Sequence, residues 1–300
     1  MYFPVADIEL APWAPLLIGF AVSVVSSPTG ISGAFLILPI CMNFLGFVSP
    51  AVSPTNYIFN VVASPAGLWR FHREKRLMWG MGFLIAVTSL PGILAGTVLR
   101  GTWLQEAADF KIFVALVLSA LALNLARTII RGGQAATRAE NAFVHSHGAA
   151  AGLVVHSSGP RNIRFDFSGQ AFVVPVHRLA AVSLAVGLVG GVYGLGGAAI
   201  IAPLLLSLFR LPIYVISGAS LLAGWASSVF GLFSYICFWP WFSGQPPIMP
   251  DFALGLLFSL GGLVGIYCGA SLQRFLPPRP LKILMLLLIA TLAVQNFGLF

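Results

Sequence analysis

The chain has 300 residues, of which 58% are hydrophobic and 8% are charged, and its mean hydropathy is +0.95. Soluble domains carry about a quarter charged residues, so this composition excludes an ordinary soluble protein and indicates an integral membrane protein in a lipid bilayer. In a membrane protein, the net charge of +8 indicates the orientation of the chain, because Lys and Arg gather in the loops on the cytoplasmic side of the apolar segments. The charge is therefore not taken as a sign of a nucleic-acid partner, and none is expected.

Ten apolar segments follow one another along the chain, five on each side of a more polar stretch. They cover residues 12–28, 31–48, 51–70, 78–100 and 110–131, and then 179–193, 195–211, 213–240, 252–273 and 281–299. This pattern predicts an all-α membrane protein with a first transmembrane repeat over residues 1–131, a cytoplasmic linker over 132–178 and a second repeat over 179–300. The N-terminal stretch "MYFPVADIELAPW" lacks Lys and Arg, so no cleavable signal peptide is expected.

The two halves share one sequence motif. "GISGAFLILP" at residues 30–39 aligns with "GLGGAAIIAP" at residues 194–203 at a constant offset of 164. Beyond the motif, the same offset aligns Ser53 with Ser217, Asn56 with Ser220, Ser64 with Ser228 and Gly67 with Gly231. We therefore predict that the halves are homologous repeats.

The positions of the basic residues predict the orientation of these repeats. If segment 51–70 ends in the cytoplasm and every segment reverses direction, 14 of the 16 basic residues lie inside, and Arg100 and Lys111 lie outside. Both termini are then external. Because each half has an odd number of segments, the two repeats are inverted relative to each other, an arrangement that recurs in secondary transporters.

The first segment of each half is short. Residues 12–28 and 179–193 reach only about 22–26 Å as helices, whereas the hydrocarbon core of a membrane is about 30 Å thick. The first two segments of each half are therefore interpreted as a re-entrant helical hairpin. The two hairpins enter from opposite faces, and their tips, "SSPTGISG" at residues 26–33 and "VYGLGG" at 192–197, are expected to meet inside the membrane.

Each tip precedes a helix whose first N–H groups lack partners and attract anions. Glycine lets a ligand approach these amides closely, although in membrane helices it also permits close helix packing, which is the preferred interpretation for Gly261, Gly265 and Gly269. Asn56 and Asn60 share one helical face, and both ligand contact and hydrogen bonding between helices remain open for them. The candidate substrate-binding residues are Thr29, Gly30, Ser32, Gly33, Thr55, Asn56, Asn60, Tyr193, Gly194, Gly196, Gly197, Ser217 and Ser220.

The chain resembles the TauE/SafE sulfite exporter family. The resemblance is carried by "GLGGAAIIAPLLL", its counterpart "GISGAFLILPICM", and the later "SPTN" at 53–56 and "GASL" at 218–221. Ser32 and Ala219 depart from the family pattern, in which glycine and threonine are usual. The resemblance implies a permease of the cytoplasmic membrane of a prokaryote that moves sulfite or an organosulfonate, such as sulfoacetate or a taurine-derived anion. The resemblance is compatible with export or uptake, and export is expected because an inside-negative potential drives an anion out of the cell.

The alternatives to a transporter are an anion channel and a membrane scaffold. An enzyme is not expected, because no nucleophile, acid pair or metal cluster converges, and neither a metal nor another cofactor is expected. The histidines of the linker, at positions 145, 147, 156 and 177, match no ligand spacing. The linker is interpreted as a solvated connection with one hairpin, formed by "NIRFDF" and "AFVVPV". The oligomeric state is left open, with a homodimer as one possibility.

Overall fold

The computed structural model describes residues 1–104, 106–131, 134–145 and 153–297. The described residues form twelve α-helices and five short strands. In the first half these are β1 Tyr2–Phe3, β2 Ile8–Glu9, α1 Trp13–Ser26, α2 Ala34–Asn43, α3 Val52–Arg73, α4 Trp79–Thr102 and α5 Ala107–Arg131. The linker contains α6 Gln134–His145, β3 Val154–Ser158, β4 Asn162–Phe167 and β5 Gln170–Pro175. The second half contains α7 Val176–Tyr193, α8 Ala198–Leu208, α9 Ile213–Phe233, α10 Trp239–Ser243, α11 Phe252–Gln273 and α12 Pro278–Phe297.

The chain is a mainly helical, multi-pass membrane protein, as its composition predicts. Among the described helices, six are long and apolar enough to cross a membrane: α4, α5, α7, α9 with its continuation through α10, α11 and α12. Helix α3 has 22 residues, but its polar side chains make it less apolar than these six. A spanning helix that retains polar residues usually directs them into the protein, and in α3 the uncharged polar side chains Ser53, Thr55, Asn56, Asn60 and Ser64 are buried, whereas the basic last turn is not.

The second helices of the two predicted hairpins are short. Helix α2 has 10 residues and α8 has 11, which gives about 15–17 Å at 1.5 Å per residue, about half of a membrane core. Helix α7 is longer than predicted, because it begins at Val176 instead of residue 179, and with 18 residues it is long enough to span. The shortness of α2 and α8 leaves the preceding glycine segments deep inside the helical bundle.

Helices of the two halves pack reciprocally. Helix α1 packs along α11 and α7 packs along α4. Both contacts are so close that a Cβ atom built on Gly261 would lie 1.9 Å from the Leu16 carbonyl oxygen, and one on Gly92 would lie 2.2 Å from the Leu184 oxygen. Gly265 and Gly269 also face α1. The interpretation of this glycine series as a packing surface is therefore confirmed.

The linker is more structured than the sequence predicts. The hairpin β4–β5 is confirmed, but a third strand, β3, joins it to form an antiparallel sheet of order β3-β4-β5. Helix α6, which was not predicted, packs against the transmembrane helices: its Phe143 ring lies 4.5 Å from that of Tyr214, and the carboxylate of Glu140 accepts a hydrogen bond of 2.9 Å from the Ile213 amide. The expectation of a merely solvated connection is therefore wrong for α6. His147 lies outside the described residues.

Candidate functional site

The first tip lies between α1 and α2. A single 3-10 turn, Ser27–Thr29, extends α1, Gly30 then adopts a left-handed conformation (φ +80°), and α2 begins after Gly33. Among the described contacts, the amides of Ile31, Ser32 and Gly33 have no acceptor. These residues are buried at the N-terminus of α2, where the helix dipole favours negative charge.

The second tip lies between α7 and α8 and has a different backbone. Gly194, Gly196 and Gly197 all have positive φ, at +76°, +59° and +78°, which residues other than glycine rarely adopt. Just before this tip, the Gly190 carbonyl accepts a 2.9 Å hydrogen bond from the hydroxyl of Tyr57 on α3. Only one of the three tip glycines, Gly194, has a counterpart of the same conformation in the first tip, Gly30. The two tips are therefore related in position without being identical in shape.

Each tip rests on a helix of the other half. A Cβ atom on Gly30 would lie 2.9 Å from the Cα atom of Ser217 on α9, and one on Gly194 would lie 2.7 Å from the Cα atom of Ser53 on α3. These two contacts join positions that the 164-residue offset makes equivalent. A second pair of equivalent contacts consists of hydrogen bonds. Ser220 donates to the Gly30 carbonyl at 3.1 Å, and Asn56 donates to the Gly194 carbonyl at 3.3 Å.

Two asparagines of α3 connect both tips. The Asn56 amide also donates to the carbonyl of Ala34 at 3.0 Å, so this one side chain touches both hairpins. Asn60 accepts a hydrogen bond from the Ser32 hydroxyl and donates one of 3.2 Å to the Leu195 carbonyl. The Oδ1 atom of Asn56 is buried and has no partner among the described atoms. The tips therefore meet at one place, and Asn56 and Asn60 define it.

Three further predicted side chains, Ser217, Thr29 and Tyr193, form hydrogen bonds of their own. Ser217 donates to the Ile213 carbonyl within α9, and Thr29 donates to the Ser26 carbonyl beside the first tip. The Tyr193 hydroxyl lies 3.5 Å from the Phe35 carbonyl in the first turn of α2.

The Thr55 side chain lies at the start of α11 and not at the tips. Its hydroxyl donates to the Ala51 carbonyl and accepts a 2.9 Å hydrogen bond from the Asp251 amide at the start of α11. The structure does not bring this side chain to the tips.

Sequence reasoning missed a buried polar connection below the first tip. Gln273 donates 2.8 Å and 2.6 Å hydrogen bonds to the Pro28 carbonyl and the Ser217 hydroxyl, and its own carbonyl accepts 2.7 Å from Arg76. Arg76 also pairs with Glu74, and burial lowers the pKa of its guanidinium. Arg76 and Gln273 were missed because they stand at the ends of apolar segments. A basic residue such as Arg76 is typical of any cytoplasmic loop, so its charge did not mark it as part of a site. The amide of Gln273 within "SLQRF" was the available signal.

The site is closed in this conformation. All the polar side chains of the predicted set are at most 3% exposed. A cleft beside the first tip, between Ser32, Phe71 and Leu221, is too narrow to admit a water molecule. Anion access would therefore require the tips to move relative to α3 and α9.

Comparison with known proteins identifies the family. The family model described as "Sulfite exporter TauE/SafE" matches residues 15–296, a range that includes both tips, α3 and α9. No curated protein and no solved structure gives a significant match. Because the family match extends over nearly the whole chain, the protein belongs to the TauE/SafE sulfite exporter family.

Proposed function

We propose that the protein is a secondary transporter that exports a small sulfur-containing anion, either sulfite or an organosulfonate such as sulfoacetate or a taurine-derived anion, across the cytoplasmic membrane. The observation that carries this proposal is the convergence of both glycine tips on Asn56 and Asn60. Membership of the sulfite exporter family supports a sulfur-containing anion as the substrate. The six candidate spans support a protein that crosses the bilayer and can move that anion through it.

The anion would be held by neutral donors. The free amides of Ile31, Ser32 and Gly33 offer three N–H groups at a helix N-terminus, and a sulfite or sulfonate group presents three oxygen atoms. The side-chain amides of Asn56 and Asn60 can exchange their present carbonyl acceptors for such an anion. Recognition by dipoles suits a transported ligand, because a buried Lys or Arg would hold an anion more tightly and slow its release.

The transport cycle would use alternating access between two inverted repeats. The reciprocal packing of α1 on α11 and of α7 on α4 supports this symmetry, as do the equivalent contacts of Gly30 and Gly194. In this proposal the hairpins α1–α2 and α7–α8 rock against α3 and α9, and the closed site corresponds to an occluded state. An inside-negative potential would drive export, at about 2.3 kcal/mol per charge for each 100 mV.

Ligand-induced stabilisation of the detergent-purified protein tests this proposal. The panel consists of sulfite, sulfate, thiosulfate, taurine, sulfoacetate and simple carboxylates. A ligand at a hundred times its Kd should stabilise the fold by about 2.7 kcal/mol. We expect one sulfur-containing anion to stabilise the wild type and Ser243→Ala, which lies outside the tips, and to have less effect on Ser32→Ala. The proposal fails if no anion changes the unfolding midpoint of a cooperatively unfolding protein.

A further inference from the structure

A large cavity lies at one end of the bundle, away from the glycine tips. Its volume is about 840 Å³, within the usual range for small-molecule sites. The end of α5, helix α6, the end of α8 and the beginning of α12 form its walls. A hydrogen bond of 2.8 Å from Asn124 on α5 to Ser207 on α8 fixes one side of the cavity.

The cavity is strongly basic. Arg127, Arg210 and Arg279 line it, and none of them forms an ion pair in the described part of the chain. Glu140 is the one acid among the described lining residues, and its buried carboxylate is already bound to Lys282 at 2.6 Å. Within the described part of the chain, three guanidinium groups therefore lie without a carboxylate partner around one concavity, which favours a ligand with negative charge.

An apolar surface begins at the same cavity. Ile130 and Ile283 line it and are 84% and 47% exposed. Leu116, Leu123 and Ile130 are each seven residues apart on α5, so they share one face, and Leu287 and Val294 continue the exposed surface along α12. Both helices are candidate membrane spans, and they pack against each other. If these helices span the bilayer, their exposed apolar side chains would face hydrocarbon.

We propose that this cavity binds the phosphate headgroup of an anionic phospholipid, whose acyl chains lie along the exposed faces of α5 and α12. The arginines match the phosphate, and the adjoining apolar surface distinguishes a lipid from a free anion, which would gain nothing from it. The site joins α6 of the linker to α5 and α12, so a bound lipid would tie the linker to the transmembrane helices. This inference does not depend on the proposed transport function.

The test is lipid binding to the full chain, measured by native mass spectrometry and by thermal unfolding with phosphatidylglycerol, phosphatidylcholine or inorganic phosphate. The triple variant Arg127→Gln, Arg210→Gln, Arg279→Gln removes the cationic lining. Its matched control carries the same change at three exposed arginines outside the cavity, Arg73, Arg161 and Arg164. We expect the wild type and the control to retain phosphatidylglycerol, and the cavity variant to bind it at least about tenfold more weakly.

A second variant tests the apolar half of the site. Ile130→Ser with Ile283→Ser should weaken phosphatidylglycerol binding and leave any binding of inorganic phosphate unchanged. Equal losses in the cavity variant and in the control would show unspecific attraction and overturn the proposal. Tight binding of phosphate, with no preference for phosphatidylglycerol over phosphatidylcholine, would assign the cavity to a soluble anion and also overturn it.

Discussion

The contact between the second tip and α3 makes a quantitative prediction for Gly194→Ala. Gly194 has φ +76°, and a Cβ atom there would lie 2.6 Å from the carbonyl oxygen of Ser53 and 2.7 Å from its Cα atom. A left-handed alanine costs about 1–2 kcal/mol, and forcing a methyl group against backbone costs about 1–3 kcal/mol more. We expect Gly194→Ala to lower the free energy of unfolding by about 2–5 kcal/mol.

The chain offers a matched control in Gly46, which also has a positive φ (+75°), but apart from its two chain neighbours no described residue has an atom within 4 Å of its hypothetical Cβ. Gly46→Ala should therefore lose only the conformational part, about 1–2 kcal/mol. Unfolding of both variants in mixed micelles, followed by tryptophan fluorescence, gives the difference between them. Equal losses in the two variants would refute the close contact of the tip with α3.

Three further outcomes are expected. Asn60→Ala removes the acceptor of the Ser32 hydroxyl and the donor to the Leu195 carbonyl, so it should cost about 1–3 kcal/mol in an unfolding titration, more than Asn296→Ala, whose amide donates to the Leu292 carbonyl within its own helix. Burial raises the pKa of the Glu140 carboxyl above 4.5, so its contribution to stability is greatest below that pH and is lost as the pH rises through the raised value. Glu140→Gln should remove this part of the pH dependence, and an unchanged profile would contradict it. Asp251→Ala removes the cap of α11 and the acceptor for the amides of the β1–β2 turn, so stability should fall by about 0.5–2 kcal/mol and the N-terminal hairpin should become sensitive to protease; unchanged proteolysis would contradict this role.

The membrane class and the helix order could be predicted because they depend on composition and on long apolar runs. All ten predicted segments overlap helices, and the glycine motifs fall at the breaks that begin α2 and α8. The predicted inversion of the repeats and the predicted roles of the thirteen site residues stay predictions. The sequence could single out Asn56 and Asn60 of α3 as polar contacts inside the membrane, because these side chains are amides in an otherwise apolar segment.

What the sequence could not predict depends on tertiary contacts. Helix α6 has little hydrophobicity, and only its packing of Phe143 on Tyr214 and the bonds of Glu140 explain why it docks. Thr55 was predicted to belong to the polar lining of the tips, but adjacent helical residues point about 100° apart, so Thr55 does not share the face of Asn56, and its hydroxyl binds the start of α11. The link from Gln273 to the first tip joins residues 245 positions apart.

The most direct test of the central claim is potential-driven efflux from proteoliposomes loaded with each labelled anion of the panel, with zwitterionic taurine as an uncharged comparison. With an inside-negative potential, the wild type should release one sulfur-containing anion faster than protein-free liposomes, and reversing the potential should slow that release. Ser32→Ala should release it more slowly than Ser243→Ala, since only the first of these variants alters a tip. Efflux equal to that of protein-free liposomes for every anion, with the protein folded in the membrane, would contradict the account.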